Sequence, residues 1–168
     1  DSVIPMACHV GQLEIIASWW DAVEDQVGTP TVLVNNAGTN PYFGPMLGGD
    51  WGAWDKTFEV NVKGPFEMTR QFVQRLNGQA GSIVNIASIL GSSASPMQGV
   101  YGMTKASIIS MTQTLAVEFG QLRLPVRVNA IAPGIIDTRL AAALVTNESL
   151  KASIVSRTTL SRVGQPDE

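Results

Sequence analysis

Apolar positions in this chain form two patterns, short continuous runs and longer stretches that repeat every three or four residues. The short runs, at residues 3–8, 31–35, 81–87 and 126–130, are apolar on both faces and predict buried β-strands. The longer stretches predict helices over residues 13–27, 54–76 and 101–119. This alternation is typical of βαβ units around a mostly parallel sheet, so we expect an α/β fold with helices on both faces.

Glycine and proline mark the expected ends and bends of these helices. Gly28-Thr29-Pro30 should end the first helix, Gly64-Pro65 should bend the second, and Gly120 should end the third. Beyond Pro133 the pattern weakens and predicts short helices with polar joints. Within one domain over residues 1–168, we expect residues 139–162 to form a mobile substrate-cover segment.

Composition narrows the possible functions. The 168 residues are 45% hydrophobic and 15% charged, which fits one compact domain, and a net charge of -3 without clustered Lys and Arg argues against nucleic acid or membrane partners. Cys8 is the only cysteine, so no intrachain disulfide and no metal site is predicted. With no visible signal peptide and no membrane-length apolar run, a cytoplasmic location is expected.

Tyr101 and Lys105 are the first residues whose spacing suggests chemistry. Four residues apart in a helix, their side chains emerge from the same face one turn apart. An ammonium about 4 Å from a phenol favours phenolate by up to ~4 kcal/mol at an effective dielectric of 20, or about three pKa units. The pair therefore predicts a phenol able to exchange protons near neutral pH, although packing alone could also explain it.

Other candidates lie where strands end, the edge at which open α/β sheets bind ligands. Ser88 follows the third apolar run, and its hydroxyl could orient a substrate oxygen or merely cap a local turn. Asn35-Asn36-Ala37-Gly38 leaves the second run and is either a ligand contact or a tight turn. Asn61, in mid-helix, either faces solvent or needs a buried partner.

These motifs occur together in a family order. Asn35-Asn36-Ala37-Gly38, Asn61-Val62-x-Gly64, Ser88, Tyr101-x-x-x-Lys105 and Asn129-x-x-x-Pro133-Gly134 follow one another along nearly the whole chain. In this order the chain resembles the short-chain dehydrogenase/reductase family, in particular its 3-oxoacyl-reductase-like or carbonyl-reductase-like members. The resemblance implies a partial Rossmann-like doubly wound parallel sheet in three α/β/α layers, lacking the first two strands and the last.

The resemblance also implies a catalytic set. Tyr101 would be the general acid or base, Ser88 would orient the reacting oxygen, and Lys105 would modulate the phenol. Asn61 would anchor a water that links Lys105 to solvent. The implied reaction interconverts a ketone and a secondary alcohol by hydride transfer with NAD or NADP, in a homodimer or homotetramer.

The implied cofactor contacts come from several segments. Asn36, Ala37 and Gly38 would line the adenosine side, Pro133, Gly134, Ile136 and Thr138 would pack on the nicotinamide, and Tyr101 and Lys105 would contact the cofactor too. Where many family members carry an Asp that binds adenine, this chain has Cys8-His9-Val10, so His9 and Val10 are the expected contacts. The family's glycine-rich pyrophosphate turn does not occur, so we expect activity only in a longer parent protein. In the family's strand order the first strand of this chain would lie two places away from its second, so we also expect a gap in the sheet.

Alternatives remain at this stage. A catalytically inactive fragment could retain only self-association through the helices near residues 50–77 and 101–119, which form subunit interfaces in the resembled family. A serine hydrolase is a poor alternative because Ser88 lacks a Gly-x-Ser-x-Gly elbow and His9 is the only possible base. Nucleotide-sugar epimerases share the Tyr-Lys pair but fit the other motifs less well. Neither the substrate, the reaction direction nor the choice between NADH and NADPH follows from the sequence.

Overall fold

A computed structural model describes residues 3–168 of the chain and gives the order of its elements. Strands and helices alternate from the first helix to the third strand, as predicted. The elements are α1 (Leu13–Val27), β1 (Val32–Asn35), α2 (Trp51–Phe58), α3 (Gly64–Leu76), β2 (Gly81–Ile86), α4 (Gly99–Gln121), β3 (Val126–Ile131), α5 (Ala142–Val145) and α6 (Glu148–Val155).

The three strands form one parallel sheet in the order β1-β2-β3. Leu33 pairs with Ile83, and Ile83 pairs with Val128, so these residues share one face of the sheet. The carboxyl ends of β1 and β2 lie at the same edge, which brings the loops after Asn35 and Ile86 together. The predicted α/β fold with a parallel sheet is confirmed.

The hydrophobic core lies on one face of this sheet. It is built from side chains of α1, α3, α4 and the inward positions of the strands: Ile16, Trp20, Val23, Leu33, Met68, Phe72, Leu76, Ile83, Phe119, Val126 and Val128. On the opposite face, Val32 and Val34 are 59% and 54% exposed. Within residues 3–131, the described helices therefore cover one face of the sheet and leave apolar side chains of the other face exposed.

The predicted strand at residues 3–8 is also wrong. These residues adopt no regular secondary structure, and Val3 is 91% exposed. A strand is stable only when its backbone pairs with a neighbour, and within the described chain residues 3–8 pair with no strand of the sheet. The expected gap in the sheet is absent from the described residues for the same reason, since the three strands that form are adjacent.

The second helical stretch is divided by a π-helical turn, Glu59–Lys63, between α2 and α3. The sequence places the bend at Gly64-Pro65, and the irregular turn lies immediately before it. Pro65 lies in the first turn of α3, directly after the π-helical turn, and its missing N–H cannot donate to the preceding turn, which accounts for the break in the regular α-helical pattern. A Cβ on Gly64 would lie 2.6 Å from the carbonyl oxygen of Val10, so only glycine lets these segments approach.

The first helix spans the predicted residues and ends at Gly28, whose φ of 74° suits glycine. The third predicted helix corresponds to α4, which starts two residues earlier and runs through Gly120 to Gln121. Gly120 is therefore not the stop, because a glycine with helical backbone angles weakens a helix without ending it. No helix in the described range 3–168 is long and apolar enough to cross a membrane.

The chain separates into two compact units, one running to Ile131 and the other comprising Ala132–Glu168. The second unit contains α5, α6 and a short 3-10 turn, Arg139–Ala141, which agrees with the predicted short helices. A single bridge pairs Ile136 with Gly164 within this unit. Its role as a mobile substrate cover, and the single-domain assignment, remain predictions.

Candidate active site

Asn61 is the most completely bonded polar residue at the carboxyl edge of the sheet. Its side chain is 1% exposed and lies in the π-helical turn. The Oδ1 atom accepts a hydrogen bond from the Thr39 N–H at 2.8 Å, and Nδ2 donates to the Thr39 carbonyl at 2.9 Å and to Thr104 Oγ1 at 3.1 Å. The solvent-facing alternative for Asn61 is therefore wrong, and the residue ties the loop after β1 to α4.

Lys105 is buried beside this cluster. It is 4% exposed, and its Nζ donates to the carbonyl oxygen of Ile86, the last residue of β2, at 2.7 Å. The same nitrogen lies 5.6 Å from the centroid of the Tyr101 ring. Burial disfavours the ammonium and lowers the pKa of Lys105 to about 8. The predicted pairing of these two side chains on one face of α4 is thus present.

Ser88 and Tyr101 form the second part of the arrangement. Ser88 is 9% exposed, and its Oγ accepts from the Leu90 N–H at 3.2 Å, so its role as a local cap is real. Burial raises the pKa of the Tyr101 phenol above its usual value, while interaction with the Ser88 side chain acts in the opposite direction. Ser88 therefore both caps a turn and adjoins the phenol.

The expected lowering of the Tyr101 pKa by Lys105 is not found in this structure. The ammonium lies over the ring and is bonded to a backbone carbonyl, and burial of the phenol determines the direction of its pKa shift. The sequence argument assumed an ammonium about 4 Å from the phenolic oxygen and ignored desolvation of the tyrosinate. At neutral pH the phenol is consequently protonated and suited to donate.

Gly38 provides room beside Lys105. A Cβ at this position would lie 3.7 Å from Lys105 Nζ and 3.6 Å from Asn61 Oδ1, a volume that a ligand could occupy instead. The ammonium has three donors and uses one on Ile86, so two can bind ligand hydroxyls. Asn36 and Ala37 are exposed next to it. This arrangement fits the ribose of a dinucleotide, with Lys105 and the segment ending at Gly38 as its contacts.

His9 and Val10 lie in the turn before α1. His9 is exposed, and its Nε2 lies within hydrogen-bond distance of Lys56 Nζ, at 3.0 Å. Val10 packs over Gly64, which places both residues beside the helix that carries Asn61. An adenine contact from His9 or Val10 stays a prediction.

The remaining predicted cofactor residues belong to the second unit. There, Ile136 forms the bridge with Gly164, the Thr138 carbonyl accepts from the Ala141 N–H at 3.0 Å, and Gly134 has no atom within 4 Å of its Cβ position. The proline at position 133 precedes these contacts. For Pro133, Gly134, Ile136 and Thr138, nicotinamide packing stays a prediction.

Sequence reasoning missed several polar residues beneath the site. Asn85 is fully buried, accepts from Asn35 Nδ2 at 2.8 Å and donates to Thr112 Oγ1 at 2.9 Å. Its position two residues after buried Ile83 was a signal, because strand residues two apart share a face. Thr39 and Thr104, the partners of Asn61, carried no comparable signal since their contacts are set by the fold.

Comparisons with known proteins agree with this fold. The profile of the family described as enoyl-(acyl carrier protein) reductase matches residues 1–168. Human dehydrogenase/reductase SDR family member 4 is 33% identical over 168 residues, covering 99% of this chain and 60% of that protein.

Solved structures of oxidoreductases share the fold of this chain. A gluconate 5-dehydrogenase from Burkholderia cenocepacia, in complex with NADP and tartrate, superposes with a TM-score of 0.87 at 28% identity, covering 93% of this chain and 60% of the other. ElxO with NADP bound superposes with a TM-score of 0.83 at 29% identity, covering 94% and 64%. The chain belongs to the short-chain dehydrogenase/reductase family of oxidoreductases. It spans about 60% of the length of the curated relatives it matches.

Proposed function

We propose that this chain carries the proton-transfer half of a nicotinamide-dependent oxidoreductase that interconverts a ketone and a secondary alcohol. The observation that carries the proposal is the convergence of the Tyr101 phenol, the Ser88 hydroxyl and the buried Lys105 ammonium at the carboxyl edge of the sheet. Since the chain spans only part of its relatives, the proposed activity belongs to a protein that also supplies the pyrophosphate site.

NAD or NADP is the proposed cofactor, held here by Lys105 and by the segment from Asn36 to Gly38. Two solved relatives hold NADP, which supports this class of ligand without deciding between the two forms. When bound, the nicotinamide supplies a hydride to a carbonyl carbon or receives one from a carbinol carbon.

The residues of the chain then handle the proton. In reduction the Tyr101 phenol gives its proton to the carbonyl oxygen, so new C–H and O–H bonds replace the π bond of the carbonyl and the C–O single bond remains. In oxidation the phenolate takes the proton back. The raised pKa of Tyr101 keeps this proton available at neutral pH. Ser88 donates a hydrogen bond to the same oxygen, and Lys105 takes part by holding the cofactor rather than by lowering the pKa of the phenol.

Asn61 positions the segments that carry the reacting groups. By bonding Thr39 and Thr104 it holds the loop next to Gly38 and the turn of α4 between Tyr101 and Lys105. Thr104 in turn donates to the Tyr101 carbonyl at 2.7 Å. We assign Asn61 to positioning, and a water relay from Asn61 to Lys105 remains a hypothesis.

The test is a matched pair of tyrosine variants in the parent protein. Consumption of NADH or NADPH with a panel of ketones is expected to fall by about 10²–10⁴-fold in Tyr101→Phe, because the proton donor is lost. Tyr42→Phe, at the other tyrosine of the chain, should retain activity. Equal turnover in Tyr101→Phe and the unmodified protein would overturn the proposal.

Self-association is a second candidate function, favoured by apolar side chains on the outer surface of two helices. Phe66 on α3 is 53% exposed, and Met103 and Val117 on α4 are 38% and 60% exposed. Sedimentation velocity with and without NADPH distinguishes the two candidates. Dimers or tetramers that bind no cofactor would favour a purely associative fragment.

A further inference from the structure

The face of α4 that packs on the sheet is largely polar. The buried residues of this helix are Thr104, Lys105, Ile108, Thr112 and Phe119. Apolar contacts have no preferred direction, whereas a hydrogen bond restricts both a distance and an angle. Polar packing therefore holds a helix in one rotation and at one height along its axis. This restriction bears directly on the proposed site, because α4 carries Tyr101 and Lys105.

Lys105 and Thr112 lie on one line of this helix, since seven residues are almost two full turns. Their side chains are bonded to consecutive residues of β2. Lys105 Nζ donates to the carbonyl oxygen of Ile86 at 2.7 Å, and Thr112 Oγ1 accepts from Asn85 Nδ2 at 2.9 Å. The lysine of the proposed site and Thr112 thus attach the same face of α4 to the same strand.

Asn85 also connects α4 to the rest of the sheet. Its side chain is 0% exposed, and its Oδ1 accepts from Nδ2 of Asn35, its register partner in β1, at 2.8 Å. Asn35 donates in addition to Thr69 Oγ1 of α3 at 3.1 Å. The hydrogen bonds therefore join β1, β2, α3 and α4. Three of these elements lead into or carry the proposed site, because β1 precedes the segment ending at Gly38, β2 precedes Ser88, and α4 holds the phenol and the ammonium.

The face of β2 that carries Asn85 is otherwise apolar. Ile83, two residues earlier, lies on the same face and is fully buried in the hydrophobic core. An amide at such a position must lose its water, and a hydrogen bond returns little net stability in exchange. The amide does add direction. Since Oδ1 only accepts and Nδ2 only donates, Asn35, Asn85 and Thr112 fit together in one arrangement.

We propose that Asn85 is a positioning residue whose hydrogen bond to Thr112 sets the rotation and height of α4, and thereby places Tyr101 against Ser88 and Lys105 beside Gly38. This inference rests on the proposed function, because the placement of the phenol affects a rate only if the phenol transfers a proton. A displacement of about 1 Å caused far from the reacting groups can reduce a rate by about 10²-fold.

Two threonine variants test whether the hydroxyl of Thr112 is required. Thr112→Val keeps the shape and removes the hydroxyl, whereas Thr112→Ser keeps the hydroxyl. In the parent protein, Thr112→Val should lower the single-turnover rate of ketone reduction by about 10- to 100-fold with little change in KM, and Thr112→Ser should stay within about 3-fold of the unmodified protein. Thr114→Val, at an exposed position of the same helix, should have no effect. An unchanged rate in Thr112→Val, or equal losses in the valine and serine variants, would overturn the proposal.

The two tyrosines of the chain allow a test without turnover. With ζ-¹³C-tyrosine, the signal of Tyr101 should move in Thr112→Val, because the interaction of its phenol with the Ser88 side chain depends on the placement of α4. Tyr42 serves as the internal reference, since its hydroxyl is bonded within its own loop to the Pro45 carbonyl at 2.9 Å. A Tyr101 signal that does not move would contradict a role for Thr112 in placing the phenol.

The double variant Asn85→Leu/Thr112→Val separates positioning from stability. Replacing both partners by apolar groups of similar shape leaves no buried amide between them, so the urea midpoint should recover to or above that of Thr112→Val. Asn35 keeps Thr69 as an acceptor. The reduction rate should remain low, because an apolar pair does not fix the helix. Recovery of the rate together with the midpoint would show that the role is purely structural. If the double variant does not fold, Thr112→Val and Thr112→Ser decide.

These outcomes also separate the inference from the proposed function. If the unmodified parent protein reduces no ketone, the proposed reaction fails, and the Tyr101 signal in Thr112→Val still decides whether the phenol is positioned through Asn85. If the parent loses its activity in Tyr101→Phe but Thr112→Val retains the normal rate and signal, the reaction stands and the positioning role is overturned.

Discussion

The two sides of the candidate site are built differently. On the proton-transfer side, Asn61 and Lys105 are almost fully buried and bonded to neighbouring segments at 2.7–3.1 Å. On the expected adenosine side, His9, Asn36 and Ala37 are exposed. The first side is therefore preorganised by internal hydrogen bonds, whereas the second presents its side chains to solvent.

Because of this difference, we expect residues of the two sides to affect different properties of the protein. Residues on the buried side should contribute to the free energy of unfolding as well as to chemistry, because their polar groups have no water to replace a lost partner. Residues on the exposed side should affect cofactor affinity alone. Variants that violate this division would show where the comparison fails.

Asn61→Ala is expected to have the largest effect. The change removes three hydrogen bonds and leaves the Thr39 N–H and Thr104 hydroxyl without their partner, at a cost of about 2–4 kcal/mol in the free energy of unfolding. Asn36→Ala on the exposed side should cost less than about 0.5 kcal/mol. Urea denaturation measures both, and similar losses in the two variants would contradict the comparison.

Lys105 should make stability depend on pH. Its folded pKa of about 8 lies below the ordinary 10.5, so below pH 8 both states are protonated and the fold bears the full penalty of a buried charge. Between pH 8 and 10.5 the unfolded chain binds more protons, so stability rises with pH, by up to about 3 kcal/mol.

The control for this prediction is a comparison of lysine variants. Lys105→Met should abolish the rise, whereas Lys63→Met, at an exposed position, should retain it. The partly buried thiol of Cys8, whose pKa is raised by desolvation, opposes the rise above pH 9, but its contribution cancels in the difference between variants. A rise of equal size in Lys105→Met would assign it to another group.

Gly64→Ala tests the close contact between Gly64 and the backbone of Val10, where the two sides of the site meet. A Cβ at 2.6 Å from the Val10 carbonyl oxygen must displace backbone, so we expect a loss of about 1–3 kcal/mol. Gly120→Ala, on α4 with nothing within 4 Å, should instead stabilise by about 0.5–1 kcal/mol. Thermal or urea unfolding of the pair decides, and stabilisation of Gly64→Ala would show that the close approach is not required.

The arrangement of the proposed proton-transfer residues was largely predictable from the sequence, since its signals are local. The spacing of Tyr101 and Lys105 defines one helical face, and Ser88 follows an apolar run, so both positions can be inferred without knowing the fold. The buried Asn85 could also have been predicted from its strand position. In contrast, the partners of Asn61 come from Thr39 and Thr104, which are distant in sequence.

Failures of prediction involve interactions between distant parts of the chain. Residues 3–8 have strand-like composition, but a strand forms only where a neighbour pairs with it. Val32 and Val34 are apolar, so the sequence predicts that they are buried. Their burial requires a layer of structure on that face of the sheet, and none of the described residues covers them. The upward pKa shift of Tyr101 likewise depends on burial, which helical spacing does not reveal.

His9→Ala should have the smallest effect on stability and a separate effect on binding. His9 is exposed and its imidazole is hydrogen-bonded to the exposed Lys56 side chain, so the free energy of unfolding should change by less than about 0.5 kcal/mol. If the ring contacts adenine, the Kd for NADPH should rise about 2- to 10-fold in calorimetric titration of the parent protein. An unchanged Kd would mean that Val10 and the segment from Asn36 to Gly38, rather than His9, are the candidates for contacting adenosine. A loss of stability would instead mean that this side is as preorganised as the buried one.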